Sequence, residues 1–433
     1  MTLIDVRDVP ADQTSRERLQ AAGFDYRVVD LSDPAAAVPF QRAVGRGFLG
    51  EEQSEEALAH GRKTLSRRRT IGVFEQGAAP TASPVGTIDS WVTPLTVPGG
   101  EVGMWAISGV TVAATHRRRG IARSLLEGEL RAARAAGVPV AGLTVSEATI
   151  YGRYGFGSAL PALRFTVDTR RAGWGGHEPA GRLEYRDREG LVDDLAQVHD
   201  AARRTRSGRI PGWTGRWEGL AGLAPGEADR DKVRGVRHLD ESGAVRGALV
   251  YTLEERPATF RFSLRVRLLV AETAEARASL WRFALQHDLV DEVTADLQAP
   301  DDPLPWLVTD PRGVTQEVHD HGWLRILDLP TALSSRTYST GLDATLRVTD
   351  PLGFTSGVWR LRVDRSGRAQ VERVDQEHAD VTLGVAALSA LYAGGVRAGA
   401  LHGAGLLQAS EETVADLDRA FLASPAPSLD IWY

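Results

Sequence analysis

The chain has 433 residues, no cysteine and a net charge of −6 at neutral pH; apolar residues make up 42% and charged residues 25%. This balance excludes disulfides, thiolate metal sites and a cysteine nucleophile, and argues against a dedicated nucleic-acid binder, which is basic as a whole. No apolar run reaches the ~18 residues of a membrane helix, and the start MTLIDVRDVPADQTSRER lacks the layout of a signal peptide. The expectation is a soluble, cytoplasmic protein of several domains.

Residues 1–24 are polar without a clear period and read as an N-terminal appendage. Tyr26–Val29 is strand-like, and Phe40–Phe48 and Ser54–Thr64 are helical. Ile71–Glu75 and Val85–Trp91 form a hairpin. Thr93–Gly100, with two prolines, reads as a loop. Trp105–Val112 is a buried strand. Gly120–Arg134 is a helix, with Ile121, Leu125 and Ala132 on one stripe beside Leu126, Leu130 and Ala133. Gly137 and Pro139 end it, and Val138–Ser146 is the next strand.

A glycine-rich linker at Arg170–Gly181 precedes a second copy of the same α/β plan, without residue-level self-similarity. Its helices are Glu189–Arg204 and Glu275–His287. Its strands lie near Val233–Leu239, Gly247–Glu254, Phe260–Ala271 and Glu292–Leu297. After a proline-rich stretch, the last hundred or so residues alternate strands and helices as a third, smaller α/β domain with a mostly antiparallel sheet. The expected boundaries are 1–24, 25–170, 171–318 and 319–433.

The most informative segment is Val110-Thr111-Val112-Ala113-Ala114-Thr115-His116-Arg117-Arg118-Arg119-Gly120-Ile121-Ala122. It holds the pattern [Q/R]-x-x-G-x-[G/A]. Of 51 basic residues all but Lys63 and Lys232 are arginine, and the same pattern starts by chance at Arg42, Arg170 and Arg216. Only the match at Arg117 lies between a buried strand and an amphipathic helix. There the unpaired N–H groups of a helix N-terminus face an anion, and the helix dipole assists. Gly120 allows close approach, and Arg118, Arg119 and Arg123 supply charge for phosphate oxygens. The edge of Val110–Val112 can pair with an extended amide chain. Arg67-Arg68-Arg69 lacks such a frame and reads as a solvated face.

HRRRGIARSLL, together with the order of elements, resembles the GNAT acetyltransferase superfamily. From about residue 25 onward the chain is similar to the enhanced-intracellular-survival (Eis) acetyltransferases of actinobacteria. The blocks VTVAATHRRRGIAR, SEATIYGRYGFG, WLRILDLPTAL, VTLGVAALSALYAGG and LDIWY carry the match, in that order. The resemblance implies two tandem GNAT-like α/β domains, mixed sheets flanked by helices, and a C-terminal sterol-carrier-protein-like domain. It implies acetyl-CoA as co-substrate, held by Val110, Thr111, Val112, Arg118, Arg119, Gly120, Ile121, Ala122, Arg123, Ser146 and Glu147.

The resemblance also implies that Tyr151 is the general acid toward the departing thiolate, with Tyr154 a rival by proximity. It implies that the general base is the C-terminal carboxylate of Tyr433. LDIWY fits an end that is tied down, since most chain ends are polar and frayed. An α-carboxyl has a pKa of about 3.5, so it is a weak base in water and can instead orient an amine or a relaying water.

The substrate implied is a small polyamine, of the aminoglycoside kind. The penultimate residue is Trp432, where relatives carry an acid, and Glu51 and Glu52 are the early acidic candidates. The linker Glu272-Thr273-Ala274 has no glycine, so the second GNAT-like domain is expected to bind no CoA. His319 and His321 lie two apart without a third ligand nearby, so no metal is expected. A homo-oligomer, as a hexamer, is implied, with no nucleic-acid or membrane partner. The competing reading is an inactive or lipid-binding protein that keeps a GNAT scaffold.

Overall fold

The computed structural model describes residues 4–227, 229–257 and 260–433; residues 1–3 of the expected appendage lie outside them. Two compact units divide the chain. One comprises Met1–Ala159, Gly322–Ala423 and Trp432–Tyr433, the other Leu160–His321 and Ser424–Ile431.

The first unit opens with α1 (Gln13–Ala21), capped by the Asp12 carboxylate on the Ser15 amide. Residues 4–24 therefore do more than trail from the domain. Val6, Ala11, Leu19 and Phe24 are buried in the same core as Trp105 and Leu125. The helix is polar enough to hide its period, because it buries only Ser15 and Leu19. Next come β1 (Phe24–Val28), α2 (Pro34–Gly47), α3 (Glu55–Leu65), β2 (Arg69–Glu75), β3 (Gly86–Val97), β4 (Gly100–Val112), α4 (Ile121–Ala135), β5 (Val140–Thr144) and α5 (Ala148–Tyr151).

The strands β1 to β5 lie side by side in chain order, and residues 322–326 pair with the far edge of β5. All neighbours run antiparallel except β4 and β5. Thr93–Gly100, expected as a loop, belongs instead to a long hairpin in which Pro94 faces Gly103. β2 pairs with β3 only as far as Ser90. Pro94 thus sits where no β2 partner needs its missing N–H. The expected stripe of α4 is buried: Ile121, Leu125, Leu126, Leu130, Ala132 and Ala133 all face the core.

The second unit repeats the plan. Its elements are β6 (Gly157–Asp168, from Leu160 on), α6 (Thr169–Ala172), β7 (Arg182–Arg186), α7 (Arg188–Arg203), α8 (Thr214–Leu220), β8 (Arg234–Leu239), β9 (Val245–Arg256), β10 (Arg261–Ala271), α9 (Ala274–Leu285) and β11 (Val290–Gln298). The order is β6-β11-β10-β9-β8-β7, with β10 and β11 parallel. Phe165, Tyr251 and Trp281 form the centre of one core, and Leu195, Val198 and Trp217 that of another.

Within the first unit, β12 (Val314–Ile326, from Gly322 on) leads into the last domain. This has α10 (Leu329–Ser334), β13 (Leu342–Thr349), β14 (Gly357–Val363), β15 (Ala369–Arg373), β16 (Val381–Gly384), α11 (Val385–Tyr392), α12 (Ala398–Gly403), β17 (Leu407–Gln408) and α13 (Glu411–Phe421). Its sheet runs β15-β14-β13-β16-β17, antiparallel except for β13 and β16. Arg336 is buried there, and its guanidinium donates to the carbonyls of Tyr392 and Phe421. A buried charge needs such partners.

Candidate functional site

The site begins with a slip between β3 and β4. Thr87 faces Thr111, but Asp89 faces Ser108, so β4 carries one extra residue across this step. Such a bulge bends the strand and re-aims the residues beyond it. Gly109 has φ +60°, and a Cβ there would lie 2.3 Å from Asp89 Oδ2. Only glycine fits. Thr87 Oγ1 donates to the Gly109 carbonyl at 2.8 Å and lies 2.6 Å from Thr111 Oγ1, fixing the bulge.

Past the bulge, β4 parts from its other neighbour. The β4–β5 pairing runs from Met104–Val140 to Ala106–Gly142, although β4 continues to Val112 and β5 to Thr144. The edge of Val110–Val112 is thereby open to an extended, amide-bearing ligand.

The chain then crosses to α4 through Ala114–His116, one turn of 3-10 helix. Arg118 (φ +64°) and Gly120 (φ +79°) are both left-handed. Gly120 is the N-cap and offers no side chain, so the first amides of α4 receive no side-chain cap. Those amides are the ones that hold an anion. A cavity of about 530 Å³ opens here. Val110, Thr111, Val112, Arg118, Gly120, Ile121, Ala122, Arg123, Ser146, Glu147 and Tyr151 line it; Arg119 does not. Arg123 is not a free cation, because its Nε donates to Glu127 Oε1 at 2.7 Å. A neighbouring cavity of about 580 Å³ shares Thr111, Val112 and Arg117 and adds Arg46 and Glu75.

Tyr151 ends α5 and is buried, with its ring edge-to-face on Phe156 at 6.1 Å. Burial raises its pKa, and a hydrogen bond with the Ser146 hydroxyl works the other way. Tyr154, the rival, is only half-buried, and its pKa is also raised by burial. The turn after Tyr151 is fixed by Arg325, whose Nε donates to the Tyr154 carbonyl at 2.7 Å. Its Nη2 donates to Asp350 at 2.6 Å. Gly155 has φ +85°, and a Cβ there would meet Arg325 Nε at 2.6 Å.

Tyr433 is held on β5. Thr144 Oγ1 donates to the Tyr433 carboxyl oxygen at 2.6 Å, and the Tyr433 amide approaches the same hydroxyl at 3.3 Å. The tyrosine ring packs edge-to-face on Trp91. Arg68 stacks on Trp91 at 3.8 Å and donates to Asp89 Oδ1 at 2.7 Å. Arg68 is therefore no solvated charge. It is one end of a buried pair whose other end, Asp89, fills the space left by Gly109. Sequence reasoning missed Thr144, Trp91, Arg68 and Asp89. Only Gly109, a glycine inside a strand pattern, was a visible pointer.

Glu51 and Glu52 border a separate depression beside Arg42 and Arg46. In the second unit, Thr273 caps α9 with its own side chain on the Ala276 amide, so that helix start is already satisfied. His321 is buried there and donates to the Ile431 carbonyl at 3.0 Å. Among the described residues no group of three or more His, Asp or Glu is arranged to hold a metal, and no helix is long and apolar enough to cross a membrane.

The fold and cradle define a GNAT acetyltransferase. Residues 34–159 and 211–326 match families described as acetyltransferase (GNAT) domains, and residues 329–430 match a sterol carrier protein domain. An uncharacterized N-acetyltransferase of Streptomyces griseus is 34% identical, covering 83% of this chain and 88% of the relative. N-acetyltransferase Eis of Mycobacterium tuberculosis is 32% identical, over 88% and 92%. The crystal structure of Eis1 from Mycobacterium abscessus superposes with a TM-score of 0.78 at 29% identity, covering 94% of this chain and all of that one. The chain belongs to the Eis-type family of GNAT N-acetyltransferases and uses acetyl-CoA.

Proposed function

We propose that the chain acetylates amino groups of a small polyamine, an aminoglycoside or a molecule like it, by direct transfer from acetyl-CoA. The observation that carries the transfer from acetyl-CoA is the bare N-terminus of α4, with Gly120 at φ +79°, opening on the same cavity that Tyr151 lines; the polyamine class rests on the family likeness. The cavity and the parted strands fit acetyl-CoA: the amides of Ile121, Ala122 and Arg123 with Arg118 suit the pyrophosphate, and Val110–Val112 suits the pantetheine arm. Ser146 and Glu147 border the acyl end. Arg119, off the cavity wall, is assigned a longer-range electrostatic part.

The co-substrate supplies an activated acetyl group. As the amine nitrogen bonds to the acetyl carbon and the carbon–sulfur bond breaks, Tyr151 gives its phenolic proton to the leaving sulfur. The Tyr433 carboxylate takes the proton lost by the amine, directly or through water. Thr144, at the end of β5, holds Tyr433, and α5 with Tyr151 follows directly in the chain, which supports assigning the two tyrosines to one reaction.

We further assign the first domain, expected at 25–170, as the acetyl-CoA domain, with residues 4–24 packed into its core and β6 from Leu160 on going to the second unit; the second, expected at 171–318, as a GNAT-like domain without a CoA site; and the third, expected at 319–433, as the domain that delivers the C-terminus. We also assign a cytoplasmic location and a hexameric assembly. Release of thiol from acetyl-CoA with a panel of aminoglycosides tests the activity, and mass measurement in solution tests the assembly. Failure of every amine to release thiol would overturn the substrate reading.

A further inference from the structure

We infer that Thr144 is a positioning residue for acetyl transfer: its hydroxyl grips both main-chain polar groups of Tyr433 and fixes the terminal carboxylate on β5. The inference rests on the reading of that carboxylate as base.

A threonine hydroxyl has one proton and two lone pairs. Here the proton goes to the Tyr433 carboxyl oxygen at 2.6 Å, and the Tyr433 amide points at the same oxygen atom from 3.3 Å. The first contact is short, as hydrogen bonds to an ionised acceptor are. Threonine is also stiff about χ1, so the hydroxyl does not swing.

The strand behind it is rigid. β5 is paired on one side with β4, through Met104–Val140 to Ala106–Gly142, and on the other with β12, where Thr144 faces Gly322. Residues 142 and 144 share one face of β5. At 142 that face carries a glycine, and a Cβ built there would come within 3.2 Å of the Tyr433 hydroxyl. Tyr433 therefore lies along β5, with its carboxyl on Thr144 and its phenol over Gly142. Trp91 packs against the ring between these two points. A terminal residue, normally free to fray, is thereby held at its main chain by Thr144 and at its ring by Trp91. Rate depends steeply on such placement, because a displacement of about 1 Å can cost about 100-fold.

The test compares steady-state acetylation by the full chain, Thr144→Val, Thr144→Ser and a chain lengthened by one glycine after Tyr433. Thr144→Val keeps shape and removes the hydroxyl; Thr144→Ala replaces it should the valine variant not fold. The expected result is a fall in kcat of about 10- to 100-fold for Thr144→Val, with KM for acetyl-CoA within about twofold. Thr144→Ser should restore kcat to within about threefold, because it restores the hydroxyl. If Thr144→Val turns over like the parent while the lengthened chain is inactive, the role of Thr144 is wrong and the carboxylate reading stands. If the lengthened chain is fully active, the carboxylate reading fails first, and the positioning role with it.

Discussion

Trp91 and Tyr433 meet edge-to-face, with ring centroids 5.2 Å apart and planes at 78°. The pair joins the last residue of the chain to the middle of β3, and Arg68 stacks on the same indole. Trp91→Ala removes this support and leaves the hydrogen bonds of Thr144 to Tyr433 in place. The expected outcome is a loss of kcat of about tenfold, with acetyl-CoA affinity unchanged. Steady-state kinetics together with equilibrium binding of acetyl-CoA check it.

The buried pair Arg68–Asp89 supports that indole. Their side chains are 10% and 4% exposed. Removing one charge from a buried pair costs about 3–5 kcal/mol, because the other stays in low dielectric. Arg68→Met should therefore lower stability by about 3 kcal/mol in urea unfolding. The double variant Arg68→Met/Asp89→Asn should recover part of that loss. Equal stability of the single and double variants would show that Asp89 is not held by charge.

Tyr151→Phe keeps the packing on Phe156 and removes the proton donor. Loss of general acid catalysis predicts a fall in kcat of at least about 100-fold, with little change in acetyl-CoA affinity. Burial raises the pKa of Tyr151. The donor thus stays protonated to higher pH than an exposed tyrosine, whose pKa is about 10. No alkaline loss of kcat assignable to Tyr151 should occur below about pH 10. A limb near pH 8 that vanishes in Tyr151→Phe would contradict this.

Gly120 at φ +79° has open space where a Cβ would point. Gly120→Ala therefore costs conformational strain rather than a clash, about 1–2 kcal/mol. It should weaken acetyl-CoA binding about tenfold or more through the re-aimed α4 amides. Calorimetric titration with acetyl-CoA checks it.

His321 sets a pH dependence of stability. Burial lowers its pKa to about 4, against 6.5 when exposed. The unfolded chain thus takes up a proton as pH falls below about 6.5, while the folded chain resists until about 4. Stability should be full above pH 6.5 and should fall between about 6.5 and 4, by on the order of 3 kcal/mol for this residue. His238, also lowered by burial, acts in the same direction. His321→Gln should reduce the slope of unfolding free energy against pH between about 6.5 and 4, leaving the part that His238 contributes.

The cradle was legible in the sequence because two local signals coincide there. The stripe of α4 declares its buried face, and Gly120 lies where the helix must start without a cap. Tyr151 was reached through the resemblance of the block SEATIYGRYGFG rather than through any local period; of the glycines after it, Gly155 is forced by Arg325. α1 was not legible, because two buried residues, Ser15 and Leu19, give no period. Pro94 read as a breaker, yet an unpaired strand edge tolerates it. Arg68 read as surface charge because its partner lies 21 residues on, and Thr144 gave no signal because Tyr433 is 289 residues away. Spacing along the chain carries no trace of such pairs.

The most direct measurement is thiol release from acetyl-CoA with an aminoglycoside, comparing the chain that ends at Tyr433 with one carrying a single extra glycine. A terminal carboxylate acting as base predicts rapid release by the first and a loss of about 100-fold or more in the second, with acetyl-CoA binding retained. Equal turnover by both would contradict it.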